Sequence, residues 1–160
     1  MKKKSILVTF YSRTGTTKKV AERIADTLGC EIEEILDTKN RGGILGFLAS
    51  GREASSKLLT KLKPIKKDPS SYDLVVIGTP IWAGRLSSPI RTYLSENKGK
   101  FKKVAFFYTQ GGKTSDAFEE MKRICCKKPI SVLPIHASEF SDSSFMDKVE
   151  QFASDVMKGI

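Results

Sequence analysis

Short apolar runs recur along this chain at Ile6–Tyr11, Leu74–Gly78, Val104–Tyr108 and Ile130–Ile135, with a weaker one at Glu31–Leu36, and helical patterns fill the intervals. Each run is too short for a buried helix and is rich in the β-branched and aromatic residues that fit a strand. After the first run, Val20, Ile24 and Leu28 return at helical spacing until Gly29 ends the pattern. Further helical patterns lie at Ser88–Glu96, Ser115–Cys126 and Ser144–Lys158. Strands that are apolar throughout, joined by helices, predict a parallel sheet covered on both faces, because each crossover helix must bury its own apolar stripe against the sheet. The expectation is an α/β fold of three layers with five parallel strands. Short, right-handed crossovers leave few strand orders, and 2-1-3-4-5 is a common one.

The chain has 160 residues, and a domain of that size buries roughly 70% of its unfolded surface. Residues 1–160 are therefore read as a single domain. The amino terminus, Met1-Lys2-Lys3-Lys4 followed by Ile6–Phe10, begins like a signal peptide but lacks the apolar length and the cleavage site of one. No stretch approaches the ~20 apolar residues of a membrane span. Cys30 is far in sequence from Cys125 and Cys126, and three cysteines cannot all pair within one chain. A reducing, cytoplasmic setting is expected. The formal net charge of +10 favours acidic partners, phosphorylated ligands or nucleic acid on first contact. No nucleic-acid motif accompanies the lysines, so runs such as Lys61–Lys67 are read as solvated surface.

Chemistry is expected where the strands end. The first strand is followed by Ser12-Arg13-Thr14-Gly15-Thr16-Thr17, with four hydroxyls and a glycine at a helix amino terminus. Unsatisfied N–H groups, the positive end of the helix dipole and hydroxyl donors together suit a phosphate dianion. A helix cap alone requires one such hydroxyl rather than four. The stretch fits neither Gly-x-x-x-x-Gly-Lys-Ser/Thr nor Gly-x-Gly-x-x-Gly. A phospho-receiver would need carboxylates where Tyr11-Ser12 and Thr79-Pro80 stand.

Ser12–Thr17 resembles the flavodoxin phosphate signature Thr/Ser-x-Thr-Gly-x-Thr at every specified position. The resemblance extends to Thr79-Pro80-Ile81-Trp82-Ala83-Gly84 after the third strand and to Thr109-Gln110-Gly111-Gly112 after the fourth. It implies a flavodoxin-like fold with FMN bound non-covalently, its phosphate and isoalloxazine held by Ser12, Arg13, Thr14, Gly15, Thr16, Thr17 and the ten residues of the two later loops. Trp82, the sole tryptophan, is placed to stack on the flavin. Gly84 is placed third in a turn from Trp82 to Arg85, whose central peptide would switch between types I and II.

The resemblance leaves two roles. In one, the protein carries electrons to a redox partner protein. In the other, it is an NAD(P)H-dependent FMN oxidoreductase acting on quinones or similar small-molecule acceptors. No aromatic residue occurs from Thr109 to Ser115 to cover the second flavin face, which suits the enzyme. The short chain and the lack of an evident catalytic acid or base favour the carrier. A binding module without a cofactor is a third reading. His136 has no ligand cluster at metal-binding spacing, so no metal site is expected. Arg85 and Arg91 are read as exposed, and of Cys125 and Cys126 one is expected to be buried and one exposed. The segment from Arg41 to Leu62 is expected to be an irregular turn leading into a helix, with Ile44, Leu45, Phe47, Leu48, Leu58 and Leu59 packing over the sheet in preference to forming a lid beside the ligand edge, a role that the same residues could also fill.

Overall fold

The computed structural model describes residues 3–112, 115–142 and 144–160. Its strands are β1 (Ile6–Phe10), β2 (Glu31–Glu34), β3 (Leu74–Trp82), β4 (Arg85–Leu86), β5 (Val104–Gln110) and β6 (Val132–His136). The helices are α1 (Thr16–Leu28), α2 (Gly43–Ser55), α3 (Ser88–Asn97), α4 (Ala117–Cys125) and α5 (Ser144–Gly159). The order across the sheet is β2-β1-β3-β5-β6, and every neighbouring pair on that path is parallel. With the short β4 set aside, this is the expected 2-1-3-4-5. β4 turns back on the end of β3 as an antiparallel hairpin, pairing Ile81 with Leu86 and Trp82 with Arg85.

Alternation along the strands divides the core. Ile6, Val8 and Phe10 of β1, with Leu74, Val76, Ala105 and Phe107, pack on the face covered by Val20 and Ile24 of α1 and Val149 and Phe152 of α5. Leu7, Val75, Ile77, Val104 and Phe106 point the other way, into a cluster with Ile90 and Tyr93 of α3 and Met121 of α4. Successive strand residues face opposite layers, so a strand apolar at every position supplies both halves of the core.

Arg91 corrects an expectation: its side chain is buried, paired with Glu120 at 3.0 Å and donating to the Leu86 carbonyl at 3.1 Å. Such an arginine fixes α3 against α4 and the hairpin. Arg85 remains partly exposed and pairs with Asp116 at 3.2 Å. Cys125 is buried and Cys126 exposed. The helical pattern read from Ser115 begins at Ala117, and residues 113 and 114, within the Thr109–Ser115 stretch read as leaving the second flavin face uncovered, lie outside the described residues. No described helix is long and apolar enough to cross a membrane.

The segment after β2 holds a second correction. α2 does pack against β3 and the hairpin, but its buried residues are Gly46, Ser50 and Ala54. Ile44, Leu45, Phe47 and Leu48, expected to face the sheet, point outward at 80%, 83%, 61% and 60% exposure. The cause lies in how closely the helix approaches. A Cβ on Gly46 would come within 2.3 Å of the Arg41 backbone carbonyl carbon, leaving no room for a large side chain on the inner face.

Candidate functional site

β1 and β3 are neighbours, but the chain leaves β1 toward β2 on one side and reaches β3 on the other. Loops that diverge at such a point leave a crevice at the carboxyl ends of the strands. Here the crevice is lined by Arg13, Thr14, Thr16 and Thr17 from the β1–α1 loop, by Pro80, Ile81 and Trp82, and by Thr109, Gln110 and Gly111. Three segments far apart in sequence thus meet in one depression.

Gly15 caps α1 at φ 96°, and no atom lies within 4 Å of where a Cβ would sit. That backbone conformation is one that glycine adopts readily. No side chain caps the helix, so its first N–H groups remain available beside the depression. The Ser12 hydroxyl instead accepts from the Gly15 N–H at 3.0 Å and shapes the bend. The Thr17 and Thr109 hydroxyls lie 2.7 Å apart, buried, and tie the first loop to the third. Only one of the two donates in that bond, which leaves one hydroxyl hydrogen for a ligand. The Gln110 side-chain oxygen is buried without a hydrogen-bond partner among the described residues. A buried acceptor in that condition costs free energy until something donates to it.

Arg13 lines the depression while its guanidinium donates to the Arg41 carbonyl at 2.9 Å and the Gly43 carbonyl at 3.0 Å. It therefore joins the helix that opens the site to the start of α2. Its guanidinium also lies 5.5 Å from the centre of the Phe47 ring. Phe47 and Ala137 line the depression as well; Phe47 was expected chiefly to pack over the sheet, and Ala137 was not picked out from the sequence. Phe47 sits in an apolar run without a strand pattern, and Ala137 is an ordinary residue after β6; only the fold brings them here.

Trp82 is only 8% exposed. Tyr11 meets it edge to face with ring centres 5.5 Å apart, and the Arg41 guanidinium lies over its ring at 5.1 Å. Arg41 is itself buried, bonded to Asp37 and Glu53 at 2.7 Å each and to Ser50 at 3.1 Å. Burial works against its charge, but hydrogen bonds to Glu53 and Asp37 outweigh this and raise its pKa. Burial first, and the Asp37 charge second, push the Tyr11 phenol up to about 12, so it stays protonated.

The remaining sequence candidates are nearby in supporting positions. The Thr79 hydroxyl is buried and lies 2.8 Å from that of Ser87, bracing the hairpin. Ala83 and Gly84 form the hairpin turn with φ of 50° and 73°, and the Gly84 carbonyl accepts from Ser115 at 2.9 Å. Positive φ at both central residues makes this a type I′ turn, not the expected type I or II, because the mirror-image turn matches the twist of a two-residue hairpin. Gly112 is exposed at the end of the third loop and is not among the lining residues. His136 ends β6, with its Nδ1 2.8 Å from the Ser138 hydroxyl.

Neither protein-family models nor curated proteins give a match to this sequence. Solved structures do. A putative flavoprotein from Bacteroides uniformis superposes with a TM-score of 0.78 at 24% identity, covering 96% of this chain and 99% of that one. A flavoprotein from Lactobacillus acidophilus, solved in complex with FMN, gives 0.72 at 25% identity, over 89% and 99%. Oxidised flavodoxin 2 from Bacillus cereus gives 0.62 at 19% identity, over 98% and 99%. The chain is thus an open-sheet α/β protein with a crevice at its topological switch point. More narrowly, its fold is that of the flavodoxins and FMN-binding flavoproteins over nearly its full length.

Proposed function

We propose that this chain is a single FMN-binding domain, residues 1–160, that carries electrons between redox partners. The observation that supports this best is the convergence of the uncapped α1 terminus, the hydroxyls of Thr14, Thr16 and Thr17, and the unpartnered Gln110 oxygen on one depression. The donor set suits a phosphate at one end, and the buried acceptor suits a ring N–H at the other. Bound FMN supplies reversible uptake and release of electrons.

The residues present divide that task. Gly15 lets the phosphate approach the backbone, and Thr14 and Thr16 offer hydroxyl donors to it. Arg13 adds positive charge while holding the loop against α2. Pro80, Ile81 and Trp82 form an apolar and aromatic wall that excludes water from one side of the ring. Gln110 accepts from a ring N–H and fixes the ring's orientation, with Gly111 leaving space beside it. Ser12 and Thr79 act indirectly, by shaping the bend and bracing the hairpin. Among the described residues, no carboxylate, histidine or cysteine lines the depression, which favours electron transfer over proton-coupled catalysis on a substrate.

The test is titration of the purified protein with FMN, followed by flavin fluorescence and the visible spectrum. Two hydrogen bonds to a charged phosphate contribute about 1.5–3 kcal/mol each, so a Thr14→Ala/Thr16→Ala variant should bind FMN about 10²- to 10⁴-fold more weakly. An unchanged affinity in that variant, or no binding by the parent chain, removes the proposal. Rapid NAD(P)H oxidation with a quinone acceptor would replace the carrier role by the reductase.

A further inference from the structure

We propose that the outer face of α2 is a docking surface for anionic lipid, seating the protein on a membrane beside its own crevice. The face begins with Ile44, Leu45 and Leu48, which stand out from the helix at 80%, 83% and 60% exposure. At 100° per residue these three share one side of the helix with Arg52, one turn further on. The chain immediately beyond the helix adds Lys57, Leu58, Leu59 and Lys61, all exposed. Glu53 is the sole acidic residue between Arg41 and Lys67, and it is turned inward to bond Arg41 and Lys39. The exposed surface of this segment is therefore apolar at its first end and mixes apolar with basic residues at the other.

That combination suits an interfacial helix, whose apolar side chains enter the acyl boundary while its cations meet anionic headgroups. The same features disfavour the other occupants. Two copies of a chain with a net charge of +10 repel one another. A protein partner would have to supply a cleft for large side chains that project from a convex helix, whereas lipid accommodates any shape. Phe47, on the edge of this face, also lines the crevice, so docking would set the crevice at the lipid surface. The docking itself requires no flavin and stands apart from the electron-carrier reading.

The full chain should co-sediment with vesicles of phosphatidylglycerol in phosphatidylcholine about tenfold or more better than with phosphatidylcholine alone, and added salt should reduce the difference. A Leu45→Ser/Leu48→Ser variant should lose about tenfold or more of that binding. Arg52→Glu should lose several-fold. The three side chains are exposed, so circular dichroism and FMN titration should be unchanged in both variants. Equal binding to the two vesicle types, or full binding by the double-serine variant, overturns the proposal. So does an absence of vesicle binding, whether accompanied by a dimer in sedimentation velocity that the variant abolishes or by capture of an acidic protein.

Discussion

α1 and α2 are each 13 residues long and both border the crevice, yet they are held by different means. α1 buries Val20, Ala21, Ile24 and Ala25 against the sheet and turns its charged residues to water. α2 buries Gly46, Ser50 and Ala54 and turns its large apolar residues outward. The first helix is fastened by area removed from water. The second is fastened by close backbone approach and by Arg41, which bonds Ser50 and Glu53 of the helix and Asp37 before it. One site is thus bounded by a wall that belongs to the core and a wall attached to it by buried charge.

The largest effect should come from removing that attachment. Arg41→Met would leave Asp37 and Glu53 without their shared cation and strip the guanidinium from the Trp82 ring. Breaking a buried pair by removing one partner costs about 3–5 kcal/mol. Urea unfolding should show a loss in that range, and limited proteolysis should first cut between Arg41 and Leu62. A loss below about 1 kcal/mol would mean that α2 is held chiefly by something other than this network.

A matched pair of truncations compares the two helices directly. Ile24, fully buried on α1, should cost about 2–5 kcal/mol when changed to alanine, through lost transfer energy and a cavity in the core. Leu48, largely exposed on α2, should change stability by less than about 0.5 kcal/mol. Both values come from denaturant midpoints of the two variants. A large cost at Leu48 would show that the outer face of α2 is covered in the folded protein, and the contrast between the helices would fail.

The difference also explains what could be read in advance. α1 was legible because Val20, Ile24 and Leu28 obey the helical period and the core accepts that stripe. The strands followed from apolar runs at nearly every position, their order from the few arrangements that short right-handed crossovers allow, and the loop that lines the crevice from four hydroxyls around a glycine. α2 was misread at its faces because apolar periodicity reports burial only when a large residue fits between the helix and its support. Gly46 sits where nothing larger fits, a fact fixed by the path of Arg41 and invisible in local sequence. Phe47 in the crevice, and Arg91 paired with Glu120, likewise depend on residues brought together from distant segments.

The smallest effect concerns the hairpin on which α2 rests, where Ala83 occupies a left-handed conformation and lies close to Gly51 of the helix. A non-glycine residue in that region costs roughly 1–2 kcal/mol. Ala83→Gly removes this strain but gives the unfolded chain more freedom, worth about 0.4–1 kcal/mol in the opposite direction. The net result should be a stabilisation of between about 0 and 1.6 kcal/mol, read from the denaturant midpoint. The same substitution changes what the turn can do. Flipping the central peptide of a type I′ turn gives type II′, which places its first central residue in a region open mainly to glycine. The Ala83 methyl therefore holds the Ala83–Gly84 peptide in one orientation, while the Gly84 carbonyl, in the next peptide, accepts from Ser115. Faster amide exchange at Gly84 in the glycine variant would show that the methyl is what keeps this part of the α2 support rigid; unchanged exchange would assign that role to the Ser115 bond.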